Sequence, residues 1–144
     1  LPDERDLILL TESTPALQAM IAERGLSSRV KIAGFQANPY PWMAGARLLV
    51  LCSDHEGLPN VLIEALICGT PVISTDCPSG PREILGAALP SALVPCGDAV
   101  ALARRMQEFL ASPPDLSHLD LSAYSAEQAA VAYEAIARAA GGHA

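Results

Sequence analysis

Residues 47–74 read RLLVLCSDHEGLPNVLIEALICGTPVIS, and this stretch decides the fold. The run at Arg47–Cys52 is short and almost wholly apolar, which is typical of a strand buried on both faces of a sheet. The segment Pro59–Cys68 predicts a helix that Gly69 ends, and Pro71–Ser74 predicts another buried strand. Two strands joined through a helix lie parallel, so the stretch predicts a strand–helix–strand unit.

The same alternation continues on both sides of this stretch. Further strands are predicted at Leu7–Leu10, buried on both faces, and at Arg29–Phe35 and Ala92–Val94. Further helices are predicted at Pro15–Gly25 with Ser13 or Thr14 as its cap, Trp42–Ala46, Pro81–Leu85, Asp98–Leu110 and Ser125–Ala140. We therefore expect a doubly wound, Rossmann-like α/β fold with a parallel sheet between helices. Residues 1–112 are interpreted as this domain, and residues 113–144 as a linker and a C-terminal helix packed on it.

Composition excludes several classes of function. Apolar residues make up 51% of the 144 residues and charged residues 17%, which is enough for a core. The net charge of -7 disfavours binding to nucleic acid or to an anionic membrane. No apolar run reaches membrane-spanning length, and the charged start lacks the pattern of a signal peptide. We expect a cytoplasmic protein, at most peripherally bound at the inner face of the plasma membrane, and the absence of an initial Met suggests a piece of a longer protein.

Four cysteines stand at positions 52, 68, 77 and 96. None forms a Cys-x-x-Cys pair, and no His is spaced to complete a zinc site, so no metal site is predicted. We interpret them as reduced and mostly buried thiols.

The loop at Ser53–Asn60 carries the most chemistry. Gly57 lets the backbone turn and approach a ligand, and Pro59 suits the first position of a helix. The amides of Asn60 and Val61 then point out of the helix end, where they form a site suited to phosphate. Glu56 and Glu64 bracket this site as acceptors for hydroxyl groups. Strand–loop–helix corners of this kind are also common structural features, and acids at a helix start stabilise the helix dipole.

The segment Asp76–Glu83 repeats this arrangement of a strand, a Gly-containing loop and the start of a helix. Gly80 permits close approach, and Pro81 fits the first helical turn. Two helix starts at one sheet edge predict a divided site for a diphosphate and a sugar.

The chain resembles the donor-binding domain of glycosyltransferase family 4, the retaining enzymes of the GT-B fold. The matching motifs are Ser53–Leu66, which contains two glutamates separated by seven residues, and Leu26–Phe35, Cys68–Asp76, Ser79–Leu85 and Leu93–Asp98. The resemblance covers most of residues 26–110 and looks closest to bacterial members that build surface glycans from UDP sugars.

The resemblance implies a role for each residue of the site. Glu64 would hold the ribose hydroxyls, and Glu56, as the catalytic residue, would hold hydroxyls of the donor sugar. The backbone of Gly57, Leu58, Asn60 and Val61 would face the diphosphate and sugar. The backbone of Gly34, Phe35 and Gln36 would meet the base. No cofactor or metal is implied, because helix dipoles and cations steady the leaving diphosphate.

The sequence departs from the family in two places. The first strand and helix of the domain, and the whole N-terminal domain that holds a glycan or lipid-linked acceptor, are missing. Thr11–Thr14 replaces the usual Gly-rich loop. We therefore expect the isolated chain to transfer no sugar. Two alternatives remain open, a nucleotide-sugar epimerase of the same fold and a non-catalytic module that binds nothing.

The remaining polar and aromatic candidates favour structural roles. His55 is interpreted as a loop spacer, and His118 and His143 as bystanders. Arg82 is expected either to reach a phosphate or to pair with Asp76 or Glu83. Tyr40 and Trp42 are expected to pack in the core or at a domain interface, with stacking on a sugar or base as the alternative.

Overall fold

The computed structural model describes residues 5–141, apart from the side chains of residues 129, 133 and 136–141. The described backbone divides into two compact units, with the boundary between residues 41 and 42. The strands are β1 (Leu7–Leu9), β2 (Val30–Ile32), β3 (Leu49–Leu51), β4 (Val72–Thr75) and β5 (Leu93–Val94). The helices are α1 (Pro15–Glu23), α2 (Tyr40–Gly45), α3 (Asn60–Ile67), α4 (Pro81–Leu85), α5 (Ala99–Ala111) and α6 (Ala126–Gly141).

The first unit contains β1, α1 and β2. The two strands pair in parallel, with Leu7 opposite Val30 and Leu9 opposite Ile32. Thr14 caps α1 through a hydrogen bond from the Leu17 amide at 3.2 Å, which confirms one of the two predicted caps.

The prediction that the first strand is buried on both faces is wrong. Leu7 is 39% exposed and Ile8 is 37% exposed. Two three-residue strands and one nine-residue helix carry too little apolar surface to cover both faces within this unit.

The second unit contains a three-stranded parallel sheet in the order β3-β4-β5. Leu49 lies opposite Val72, and Thr75 lies opposite Val94. Strands that alternate with helices and pair in parallel confirm the predicted α/β class.

The central strand β4 is buried at all four positions. Since neighbouring side chains point to opposite faces, both faces of the sheet are covered at β4. Burying Val72 and Ile73 completely contributes about 1.5–3 kcal/mol for each side chain. In contrast, β3 is half-buried at every position, which corrects the prediction of full burial, because it lies at the edge of the sheet.

The core of the second unit joins the sheet to the helices. Its buried members include Leu62, Ile63, Ala65 and Leu66 of α3, Ile84 and Leu85 of α4, Met43 of α2 and Phe109 of α5. The segment after α5 also contacts this core through Leu116, Leu119, Leu121 and Tyr124. Asp98 caps α5 by accepting a hydrogen bond from the Ala101 amide at 2.8 Å, as predicted.

Candidate functional site

Three loops lie at one edge of the three-stranded sheet. Because β3, β4 and β5 are parallel, their carboxyl ends share this edge, where α/β folds bind ligands. We call the segments after these strands the β3 loop (residues 52–59), the β4 loop (residues 76–80) and the β5 loop (residues 95–98).

Glu56 lies half-buried in the β3 loop. The Ser53 hydroxyl donates a hydrogen bond of 2.6 Å to Glu56 Oε1. The Thr75 hydroxyl, at the end of β4, donates a hydrogen bond of 2.5 Å to the Ser53 carbonyl oxygen. The carboxylate is therefore attached to the central strand through two hydroxyl groups. Neither Ser53 nor Thr75 was predicted from the sequence to be functional.

The β3 and β4 loops are in direct contact. A Cβ placed on Gly80 would lie 2.2 Å from the Gly57 carbonyl oxygen and 2.3 Å from Pro59 Cδ, so no other residue fits without rearrangement. Gly80 also has a φ of 53°, in the left-handed region. The predicted close approach at Gly80 is correct, but its partner is the neighbouring loop.

Gly57 differs from its prediction. The structure places its φ outside the left-handed region, so the turn itself does not require glycine. Within 4 Å of the position where its Cβ would stand there is no protein atom outside the glycine and its chain neighbours. Open space of this kind leaves the backbone accessible to a ligand.

The start of α3 is shifted by one residue from the prediction. Pro59 occupies the capping position with φ −76° and ψ 86°, and Asn60 is the first helical residue. The extended ψ at Pro59 lies outside the helical range, which is why the helix begins one residue later. The Leu62 amide is bonded to the Pro59 carbonyl oxygen at 3.0 Å. The amides of Asn60 and Val61 belong to the first turn, where helix geometry provides no partner.

Glu64 lies one turn further along α3, half-buried, in a surface groove of about 370 Å³. The residues that line this groove are Leu58, Asn60, Ile63, Glu64, Ile67, Ala123, Tyr124 and Ser125. The far wall is held to α4 by the Tyr124 hydroxyl, which lies 3.3 Å from the Glu83 carbonyl oxygen. Three of the predicted site residues, Leu58, Asn60 and Glu64, therefore share one groove. Val61 of α3, which was also predicted to belong to the site, packs its side chain against the core.

A second depression of about 490 Å³ lies beside the β4 and β5 loops. Arg82 and Asp76 line it, together with Cys96 of the β5 loop. Arg82 forms an ion pair with Asp76 through two nitrogens, of which Nε lies 3.1 Å from Oδ1. The expectation of an ion pair is thus met with Asp76. The Arg82 side chain is 70% exposed, so the pair contributes little to stability.

The residues predicted to meet the base lie in the first unit. Gly34 has a φ of 74°, which glycine adopts readily. Phe35 is 80% exposed, and the Gln36 side-chain amide donates a hydrogen bond of 2.7 Å to the Ala33 carbonyl oxygen. This turn presents the backbone of residues 34–36 after β2.

The cysteines are free, but the prediction that most are buried is wrong. Cys77 is buried, Cys68 is half-buried, and Cys52 and Cys96 are exposed. Cys96 is exposed because it lies in a loop beyond the end of β5.

Burial raises the pKa of the Cys77 thiol, and the nearby Cys96 and Glu56 raise it further. Cys77 therefore lies close to the charged side chain of the β3 loop. Its raised pKa keeps this thiol protonated and unreactive at neutral pH.

His118, Tyr40 and Trp42 lie outside the three loops, and His55 lies on the surface of the β3 loop. His55 is exposed, the His118 ring nitrogen Nε2 lies 3.1 Å from the Ala88 carbonyl oxygen, and His143 lies outside the described residues. Tyr40 is 50% exposed and Trp42 is 41% exposed, so the prediction of core packing is wrong for both. The short helix α2 turns Met43 into the core instead.

Nowhere among the described side chains do His, Cys, Asp and Glu gather in a group of three or more suited to a metal ion. Along residues 5–141, no helix combines the length and the apolar composition needed to cross a bilayer.

Two relatives of curated function share long stretches of this sequence. One is the N-acetylgalactosamine-N,N'-diacetylbacillosaminyl-diphospho-undecaprenol 4-alpha-N-acetylgalactosaminyltransferase of Campylobacter jejuni, 42% identical over 82 residues, or 56% of this chain and 22% of that protein. The other is the lipopolysaccharide core biosynthesis glycosyltransferase LpsE of Rhizobium meliloti, 34% identical over 100 residues, or 69% of this chain and 29% of that protein. The chain spans less than a third of the length of each relative.

The fold matches that of a solved nucleotide-bound structure. Alr3699/HepE from Anabaena in complex with UDP is 26% identical, with a TM-score of 0.68 over 76% of this chain and 32% of that chain. Its complex with UDP-glucose matches with a TM-score of 0.67 at 27% identity, over the same shares of the two chains. The chain thus has the mixed α/β, Rossmann-like fold of one half of a GT-B glycosyltransferase, as predicted.

The family model described as "Glycosyl transferases group 1" matches residues 4–112, which is more than half of the chain. This match spans all five strands and the three loops at the sheet edge. The chain therefore belongs to the group 1 glycosyl transferases.

Proposed function

We propose that this chain is the donor-binding half of a retaining, family 4 glycosyltransferase that uses a UDP sugar. The contact between the β3 and β4 loops carries the proposal. It gathers Glu56 and the start of α3 at the carboxyl edge of the sheet, where ligands bind in α/β folds. The UDP and UDP-glucose complexes of the Anabaena protein, which has the same fold, support a nucleotide-sugar donor.

The donor would lie across the start of α3. The first amides of this helix, together with the helix dipole, suit the negative charge of a diphosphate. The open space over Gly57 allows the ligand to reach the backbone, with Leu58 and Asn60 beside it. When the sugar leaves, charge grows on the diphosphate, and these fixed donors stabilise it without a metal ion.

The two glutamates would have different partners. Glu64, in the groove beside Leu58 and Asn60, would accept hydrogen bonds from the ribose hydroxyls. Glu56, held on the β3 loop by Ser53, would accept hydrogen bonds from the donor sugar. The backbone at Gly34–Gln36 would meet the base. A retaining transfer then breaks the bond between the anomeric carbon and the UDP oxygen. The acceptor hydroxyl oxygen bonds to the same face of the sugar, and its proton passes to the leaving diphosphate.

The acceptor would be held by protein outside these 144 residues. The curated relatives are more than three times as long as the region that they share with this chain. The name of the Campylobacter relative includes a diphospho-undecaprenol acceptor, which supports a glycan or lipid-linked acceptor here. We therefore place the reaction in bacterial surface polysaccharide synthesis, at the cytoplasmic face of the membrane.

The relatives are named as transferases, which disfavours the epimerase alternative.

Nucleotide titration tests the proposed function. We expect UDP to bind the folded chain more tightly than GDP or ADP, with calorimetry as the measurement. No heat and no saturable binding with any of the three nucleotides would instead support a module that binds nothing. Incubation with UDP sugars and glycan acceptors should give no transfer by the chain alone. Elongation of an acceptor by the chain alone would contradict the proposed division of roles.

A further inference from the structure

Two hydrogen bonds link the Glu56 carboxylate, in a surface loop, to the central strand of the sheet. Its carboxylate is bonded to the Ser53 hydroxyl, three residues earlier in the same loop. The Ser53 carbonyl oxygen is in turn bonded to the hydroxyl of Thr75, which is only 5% exposed. The chain of contacts therefore runs from a buried position on the central strand to the carboxylate.

Thr75, the buried end of this series of hydrogen bonds, is held in place by the sheet. Thr75 is paired with Val94 in the sheet, and the preceding residue, Ser74, is paired on both sides, with Leu51 and Leu93. A β-branched side chain has a restricted first torsion, so the Thr75 hydroxyl keeps its direction. The fixed hydroxyl holds the Ser53 carbonyl group, and with it the start of the β3 loop.

We propose that Ser53 and Thr75 are positioning residues that orient the Glu56 carboxylate toward the donor sugar. This inference rests on the proposed function, because it assumes that Glu56 meets the sugar. The Ser53 hydroxyl donates to Oε1, and the proposal assigns Oε2 to accept a hydrogen bond from a hydroxyl of the sugar. A glutamate loses side-chain freedom when it is fixed, so fixing it before binding lowers the cost of binding the sugar.

The proposal predicts an effect that depends on the sugar. Removing the Ser53 hydroxyl should change the affinity for UDP by no more than about twofold relative to wild type, because UDP lacks the donor sugar. It should weaken binding of the UDP sugar several-fold, up to about tenfold. This is less than the loss of a direct hydrogen bond to a charged group, because Glu56 itself remains. Ser53→Thr, which keeps a hydroxyl, should restore most of the difference. Thr75→Val, which keeps the shape and removes the hydroxyl, should act in the same direction as Ser53→Ala.

Ser74→Ala is the matched control. Ser74 is fully buried, precedes Thr75 on the same strand, and donates a hydrogen bond of 2.9 Å to the Thr75 carbonyl oxygen. Its removal costs a buried hydrogen bond without touching the contact to Ser53. The control variant should therefore unfold at a lower temperature and keep the wild-type ratio of UDP to UDP-sugar affinity.

The experiment is a calorimetric titration of UDP and of four UDP sugars: UDP-glucose, UDP-galactose, UDP-N-acetylglucosamine and UDP-N-acetylgalactosamine. The sugar that binds wild type most tightly relative to UDP is used for the variants, each first shown to be folded by circular dichroism. Ser53→Ala is also made in the Glu56→Ala background, where it should add no further loss.

The outcomes separate the inference from the proposed function. If wild type binds neither UDP nor any UDP sugar, the proposed function fails. If it binds UDP but no UDP sugar more tightly than UDP, Glu56 gains nothing from the sugar and the positioning role is overturned. If wild type prefers a UDP sugar and Ser53→Ala keeps that preference, the positioning role is wrong. A further loss from Ser53→Ala in the Glu56→Ala background would also overturn it, because Ser53 would then act independently of Glu56.

Discussion

A Cβ on Gly80 would lie 2.2 Å from the carbonyl oxygen of Gly57. This distance joins two loops that follow neighbouring strands and that are far apart in the sequence. Because Gly80 is buried and Gly57 is exposed, the β4 loop packs against the inner side of the β3 loop. The outer side of the β3 loop stays open to solvent. The position of Glu56 thus depends on a residue of a different loop.

Gly80→Ala should destabilise the protein strongly. The added methyl group overlaps backbone and proline atoms that are themselves fixed, and the φ of 53° is unfavourable for alanine. We expect a loss of about 3 kcal/mol in the free energy of unfolding, measured in urea.

Gly69→Ala is the control for this variant. Gly69 has a φ of 77°, but no atom lies within 4 Å of the place where its Cβ would stand. It should show only the backbone cost, about 1–2 kcal/mol. Equal losses in the two variants would mean that the contact between the loops has no energetic weight.

Asp98→Ala should weaken α5. The Asp98 carboxylate accepts the hydrogen bond of the Ala101 amide, and its loss leaves that amide without its cap. We expect a loss of about 1 kcal/mol, while Asp98→Asn should lose much less because asparagine caps as well as aspartate does. Urea unfolding of both variants gives the comparison, and an Asn variant as unstable as the Ala variant would argue against capping.

The cysteines should differ in their reaction with iodoacetamide. Cys96 is exposed, whereas Cys77 is 2% exposed and burial raises its pKa. A raised pKa lowers the thiolate fraction at pH 7, so Cys77 should react after Cys96. The labelling of Cys77 should increase as the pH rises above about 8.5, the ordinary pKa of a thiol. Mass spectrometry of the peptides measures the order, and in concentrated urea the difference should disappear.

Local signals in the sequence were sufficient to predict the elements. The apolar runs predicted the strands, and proline, glycine and capping residues predicted the helix ends to within about two residues. Thr14 and Asp98 cap their helices as their positions indicated, because capping involves residues only three apart. Parallel pairing followed from the alternation of strands and helices.

Long-range contacts could not be predicted in the same way. The hydrogen bond from Thr75 to Ser53 joins residues 22 positions apart and depends on the register of β3 against β4. The spacing of Ser53 and Glu56 was visible in the sequence, but nothing local showed that the serine would turn toward the acid. The exposure of Cys96 was missed although the predicted strand ends at Val94, because the position of a residue in a loop does not show whether other segments cover that loop.

Glu56→Ala should weaken binding of the UDP sugar alone, whereas Glu64→Ala should weaken binding of both UDP and the UDP sugar. Glu56 is proposed to touch only the sugar, so its loss should leave UDP binding near that of wild type and weaken binding of the preferred UDP sugar. Two acids that merely stabilise a helix start would instead affect both ligands alike, or neither. If Glu56→Ala loses UDP itself, the proposed division between the two acids is wrong.

Calorimetric titration of UDP into wild type and Glu64→Ala tests the central claim, that this chain binds a donor nucleotide beside α3. Glu64 is half-buried in the groove with Leu58 and Asn60, and a hydrogen bond that a charged group accepts contributes roughly 1.5–3 kcal/mol. We predict saturable binding of UDP to wild type and a dissociation constant about tenfold or more higher for Glu64→Ala, with both proteins equally folded by circular dichroism. The same dissociation constant in both proteins would contradict the account.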